Sequence, residues 1–148
     1  MTDQDAVEIL LVEDNSRDAE LTIRALKKNN LADNLYHVED GVEALDFLFG
    51  RGRYSGRDMD DMPKVVLLDL KLPRINGLEV LRAMKSDLRT QTIPVVMITS
   101  SAEDPDIQAA YQLGVNSYVL KPVQFESFIE AMLRVGGYWL KVNHPLKK

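Results

Sequence analysis

The chain contains no cysteine, so it can form no disulfide and offers no thiolate to a metal. That suits a reducing compartment, and the expected location is the cytoplasm. Only two histidines occur, His37 and His144, isolated from each other in sequence, and neither is assigned a metal. No apolar stretch approaches the roughly 18 residues that span a bilayer. The start, Met1-Thr2-Asp3-Gln4-Asp5, lacks the basic residues and apolar core of a signal peptide. Positive charge is in deficit as well. A net charge of -5 argues against general affinity for nucleic acid or anionic membrane surfaces.

What is present suits a soluble globular domain: 45% hydrophobic and 28% charged residues over a length of 148. The expected organisation is one domain over 1–148 with a short C-terminal extension from about 138 to 148, which leaves no room for a second output domain. Short apolar runs alternate with segments of helical period. Strands are expected at Glu8–Val12, Leu35–Val38, Lys64–Leu68, Ile93–Ile98 and Ser117–Leu120. The first, third and fourth runs are apolar on consecutive positions, as parallel strands covered on both faces require. Helix starts are marked by Asn15 or Ser16, by Asn76 with Glu79 at capping-box spacing, and by Asp104 before Pro105. Gly114 suits a helix exit. A last helix is expected from about Phe125 to Trp139, ending or kinking at Gly136-Gly137. The pattern is (βα) repeated five times, which right-handed crossovers wind into an open, doubly wound, five-stranded parallel sheet of the α/β class. Between Gly50 and Met62 runs a long connection without apolar periodicity, of the kind that is functional or mobile. Arg51, Arg53 and Arg57 there are offset by Asp58, Asp60 and Asp61, and Gly50, Gly52 and Gly56 read as flexibility rather than a phosphate loop.

Asp69 ends the apolar run Val65-Val66-Leu67-Leu68 and precedes Leu72-Pro73 and Asn76-Gly77. Such α/β sheets place their chemistry outside the carboxyl ends of the strands. Glu13 and Asp14 end the first run, Thr99 the fourth and Lys121 the fifth. Taken singly, each has a plain structural reading as a turn acid, a helix-start acid, a loop hydroxyl or a surface lysine. Together, three carboxylates with no His or Cys beside them favour a hard cation, Mg²⁺, and Lys121 and Thr99 add an ammonium and a hydroxyl. That set suits a transferring phosphoryl group, with Asp69 as the nucleophile that forms an aspartyl phosphate.

These residues, in this order and with Asp40-Gly41-Val42-Glu43-Ala44-Leu45 between them, resemble the receiver domain of two-component response regulators, of flavodoxin-like fold. The resemblance implies Asp69 as phosphoacceptor and Glu13, Asp14 and Asp69 as Mg²⁺ acids, with the main-chain carbonyl of Lys71 completing the protein ligands. It implies phosphoryl contacts from Thr99 and Lys121, a cis peptide between Lys121 and Pro122, and Tyr118 as a switch aromatic that moves inward with Thr99. Lys71 and Ser101 hold variable positions beside the path of the hydrolytic water, so the phosphoryl lifetime belongs to this chain rather than to the family.

The Arg51–Met62 loop and the ending Gly137-Tyr138-Trp139-Leu140, with Asn143 and Pro145, are similar to small response regulators paired with bacterial and cyanobacterial phytochromes. That resemblance implies a sensor histidine kinase, a phytochrome, as donor. It also implies a homodimer with Tyr138 and Trp139 as interface anchors, although Trp139 could instead fold back over its own last helix. Signalling then passes to a downstream protein through contacts, or the chain serves as a phosphate intermediate or sink, and it is not an enzyme beyond its own phosphorylation and dephosphorylation. One alternative is an aspartyl-phosphate phosphohydrolase of the haloacid-dehalogenase type. That chemistry takes a second Asp two residues after the nucleophile, where this chain has Lys71. The other is a degenerate receiver acting only as a binding module, which would not need all five site residues.

Overall fold

The computed structural model describes residues 7–146, so the acidic start Met1–Asp5 and the last two lysines lie outside the described residues. Five strands form one sheet: β1 (Ile9–Val12), β2 (Leu35–Val38), β3 (Val65–Leu68), β4 (Val95–Thr99) and β5 (Ser117–Leu120). Their order is β2-β1-β3-β4-β5, and every pairing is parallel. Between them lie α1 (Ser16–Lys28), α2 (Gly41–Phe49), α3 (Gly77–Lys85) and α4 (Asp104–Gln112), with α5 (Phe125–Gly137) last. The expected doubly wound (βα)₅ sheet is what forms.

Strand alternation divides the core in two. Leu10, Val12, Val66, Leu68, Val95 and Met97 face one side and pack with Phe47, Leu48, Val80, Leu81 and Met84 from α2 and α3. Ile9, Leu11, Val65, Leu67, Val96 and Ile98 face the other and pack with Leu26 of α1 and Phe128 and Met132 of α5. All four residues of β1 and of β3 are buried, which explains their unbroken apolar runs. The helices contribute unequally: α3 buries Gly77, Val80, Leu81 and Met84, whereas α4 buries only Ala110.

Local chemistry moved several boundaries. β4 begins at Val95, not Ile93, because Pro94 has no N–H for the ladder and the Val95 N–H is taken by Asn116 Oδ1 at 2.9 Å. Asn15 and Asn76 cap α1 and α3 by accepting from the N–H groups of Asp18 and Glu79. At α4 the expected cap is displaced by one residue. Asp104 is already helical, Glu103 is the cap without a side-chain bond, and the first turn is held by a Ser101–Asp106 bond instead. α5 ends at Gly137 and widens into a π-helical turn over Tyr138–Val142.

The Gly50–Met62 connection is pinned, not free. Tyr54 meets the rings of Tyr36 and Phe47 edge-on. The Arg57 guanidinium lies 4.0 Å from the Phe47 ring centroid and donates to the carbonyls of Phe47 and Asp61. Arg53 and Arg51 pair with Glu43 and Asp46 of α2, so the charge balance of this loop is struck largely with the helix before it.

Two glycines allow backbone approach that a side chain would block. A Cβ on Gly77 would meet the Asp69 carbonyl oxygen and the Leu70 Cα, and the Gly77 N–H donates to the Leu70 carbonyl at 2.7 Å. Gly136 is pressed against Leu26, bringing α5 close to α1. By contrast, nothing lies within 4 Å of a Cβ on Gly137. Gly77→Ala is therefore expected to destabilise the protein by about 2 kcal/mol or more, while Gly137→Ala is neutral or stabilises by up to ~1 kcal/mol. Equilibrium denaturation of the two variants against wild type checks both.

Candidate functional site

The strand order reverses between β1 and β3, and the crevice beyond their carboxyl ends collects the charged residues. Asp69 follows β3, with its N–H donating to the Val12 carbonyl at 3.0 Å. Glu13 follows β1 and donates its N–H to the Val38 carbonyl, while its own carbonyl is 2.7 Å from His37 Nε2. Glu13 and Asp69 are 5% and 8% exposed, unusual for carboxylates, whereas Asp14 is exposed. One oxygen from each of Glu13, Asp14 and Asp69 can be chosen so that all lie within 4.8 Å of one another. Three hard oxygens converging at the mouth of a crevice fit a small divalent cation. Lys71 lies two residues beyond Asp69, in the exposed loop leading to Asn76 and Gly77.

Lys121 reaches into the same space from the end of β5. Its Nζ is 2.6 Å from Glu13 Oε1, 2.9 Å from Asp18 Oδ2 and 3.1 Å from Asp69 Oδ2. Burial pushes the Glu13 carboxyl up to about 7; the Lys121 ammonium pulls against that rise and the Asp69 carboxylate adds to it. Burial likewise works against the ammonium, yet Glu13, Asp18 and Asp69 together hold Lys121 above the ordinary lysine range.

The peptide between Lys121 and Pro122 is trans, as is every peptide bond among the described residues, which corrects the expected cis bond. Trans is the intrinsically favoured isomer even before proline. Here the Lys121 N–H donates to the Thr99 carbonyl at 2.8 Å and the ammonium still meets all three acids, so the trans geometry satisfies both ends of the residue.

Thr99 is buried, and its hydroxyl oxygen accepts from the Ser101 N–H at 3.2 Å. Ser101 is a junction. Its hydroxyl lies 2.6 Å from Asp106 Oδ2 in α4, and its carbonyl accepts from the Tyr118 hydroxyl at 2.8 Å. Burial raises the Tyr118 phenol above its usual value, with Asp106 and Asp69 adding to the rise against the bond to Ser101. Thr99 and Tyr118 thus meet through one residue. Tyr138 and Trp139 lie elsewhere, past the far end of α5: Tyr138 is about half-exposed, and Trp139 packs partly against the α1–α5 side of the core. Their rings meet edge-on, 5.0 Å apart.

Two participants escaped the sequence reading. Asp18 is an acid in the first turn of α1, and nothing local signals a partner 103 residues away. Asp106 is a first-turn acid of α4 and also the anchor for the Ser101 hydroxyl. A cleft of about 230 Å³, lined by Arg17, Asp18, Ser100, Lys121, Pro122 and neighbouring apolar residues, opens beside the ammonium.

The acids crowd one another at the expense of stability. Asp69→Asn leaves Lys121 bonded to Glu13 and Asp18 while removing one of the converging charges. The variant is expected to gain about 1 kcal/mol in chelator-treated buffer, a gain that narrows when a divalent cation is added. Urea titrations in the two buffers measure it.

Residues 9–133 match the family model described as the response regulator receiver domain. Among curated relatives, the probable methanogenesis regulatory protein FilR2 of Methanothrix harundinacea (strain 6Ac) is 40% identical, the match covering 95% of this chain and 88% of the relative. Among solved structures, the phosphorylated cyanobacterial phytochrome response regulator RcpA superposes with a TM-score of 0.88 at 34% identity, covering 95% of this chain and 98% of that one. The Mn²⁺-bound form of response regulator Rcp1 gives 0.87 at 33% identity, covering 95% and 99%. Rcp1 is from Synechocystis sp. (strain ATCC 27184 / PCC 6803 / Kazusa).

Proposed function

We propose that this chain, which belongs to the response regulator receiver domain family, accepts a phosphoryl group on Asp69 from a sensor histidine kinase. The observation that carries the reading is the meeting of Glu13, Asp14 and Asp69 oxygens within 4.8 Å beside the Lys121 ammonium. An Asp69 oxygen attacks the phosphorus of the donor's phosphohistidine. A P–O bond forms as the P–N bond breaks, and the departing imidazole nitrogen keeps the electron pair. Mg²⁺, held by Glu13, Asp14, Asp69 and the main-chain carbonyl of Lys71, would supply neutralising charge to the phosphoryl oxygens.

Lys121 supplies a second positive charge, already hydrogen-bonded to Asp69 before any transfer. Thr99 offers its hydroxyl as a donor, since its oxygen accepts from Ser101 while its proton stays free to point elsewhere. A movement of Thr99 toward the phosphoryl group is felt at Ser101, and through its carbonyl at Tyr118. The chain is thereby read as a signalling switch rather than an enzyme acting on a separate substrate. Attack by water on the acyl phosphate resets it.

The narrower reading pairs the chain with a phytochrome kinase. It is supported by the similarity to RcpA, which is itself described as a phosphorylated cyanobacterial phytochrome response regulator. We place the chain in the cytoplasm as a single receiver domain over 1–148, with residues of about 138–148 as its extension. No helix among the described residues is long and apolar enough to cross a membrane. Its dimer would use Tyr138 and Trp139; the half-exposed Tyr138 ring, backed edge-on by Trp139, supports that surface.

Incubation with acetyl phosphate and Mg²⁺ is expected to add one phosphoryl group, read by intact-protein mass spectrometry. Asp69→Asn abolishes the addition, and Lys121→Gln slows it by about a hundredfold. Labelling that persists in Asp69→Asn overturns the acceptor assignment. For the dimer, sedimentation of wild type against Tyr138→Ala is expected to show dissociation; identical profiles remove Tyr138 from the interface.

A further inference from the structure

Two positive charges must share the acids of this site, and they compete for the same two carboxylates. Lys121 Nζ is bonded to Glu13 and Asp69, and those two carboxylates, with Asp14, make up the converging set proposed for the cation. A divalent cation that engages Glu13 and Asp69 draws both away from the ammonium. The ammonium is poorly placed to lose them, because the Lys121 side chain is only 11% exposed. Leaving a largely buried charge without a paired partner is strongly unfavourable.

Asp18 is the one acid on Lys121 that stands outside the converging set. Its Oδ2 lies 2.9 Å from the ammonium. Both of its backbone groups are held: its N–H donates to Asn15 Oδ1 at 3.0 Å, and its carbonyl accepts from the Thr22 hydroxyl at 2.8 Å. It sits in the first turn of α1, where negative charge is favoured by the helix dipole. Asp18 therefore presents its carboxylate to the lysine from a backbone held in α1, a different element from those that supply the three converging acids.

We propose that Asp18 is a positioning residue that keeps the Lys121 ammonium paired when a divalent cation takes Glu13 and Asp69, and that it thereby sets the affinity of the site for that cation. The inference rests on the cation site proposed above. Without Asp18, cation binding takes from Lys121 both of its remaining carboxylate partners. With it, one ion pair survives in either state, and the ammonium remains beside Asp69 for an incoming phosphoryl group.

The test is a double-mutant cycle read by isothermal titration calorimetry with MgCl₂, independent of any phosphorylation. The full chain is titrated as wild type, Asp18→Asn, Lys121→Gln and the double variant. The Asn substitution keeps the size of the side chain and the backbone bonds of α1, so the fold is preserved. Asp18→Asn is expected to weaken Mg²⁺ binding about tenfold, the scale typical of groups that orient metal ligands. In the Lys121→Gln background the same substitution should change affinity by about twofold or less, because no ammonium remains to be retained. Equal weakening in both backgrounds would show Asp18 acting on the cation as a distant charge and overturn the inference, as would unchanged affinity in Asp18→Asn. Wild type that binds no Mg²⁺ would instead remove the cation site itself, and the inference with it.

Discussion

Lys121 Nζ has three hydrogens and three carboxylate neighbours, and its position ties α1, β1, β3 and β5 together at the carboxyl end of the sheet. Every other feature of the crevice is arranged around that ion cluster. Glu13 can be buried only because the ammonium meets it, and Asp69 can lie beside Glu13 only because the same ammonium stands between their charges. The cluster remains short of positive charge, with four acids counting Asp14. A site so unbalanced favours a further cation beside its acids.

The fold was legible because its signals are local. Consecutive apolar residues marked β1, β3 and β4 as strands covered on both faces, and Asn15 and Asn76 marked the helix starts that follow two of them. The family likeness then supplied the order in which strand ends come together. What could not be read was any pairing made by the tertiary fold alone. Asp18 and Lys121 are 103 residues apart, and Tyr118 reaches the Ser101 carbonyl across 17. The structure also departs from the family expectation at the Lys121–Pro122 bond. Sequence alone carries little information about isomer state, because trans is the default and the ammonium reaches its acids in that form.

The 50–62 connection teaches a related lesson. Its glycines and mixed charges suggest a mobile excursion, yet Tyr54 and Arg57 fasten it to Phe47 from both sides of the turn. Anchors of this kind are aromatic and cationic side chains without periodicity, so no pattern announces them. The loop is better regarded as a cover for α2 and the outer strand β2 than as an unoccupied linker.

The unequal burial of the helices has a mechanical consequence. α1 and α5 are locked on one face by Gly136 against Leu26, and α3 is rooted by four buried residues on the other. α4 rests on Ala110 and on the polar bond from Asp106 to Ser101. Displacing α4 therefore exposes little apolar surface, whereas displacing any other of these helices would open the core. In the switch proposed above, a push delivered at Thr99 meets its least apolar resistance at α4. α4 is thus the helix that can shift with the least loss of buried core, while α1, α2, α3 and α5 are each held by three or four buried residues.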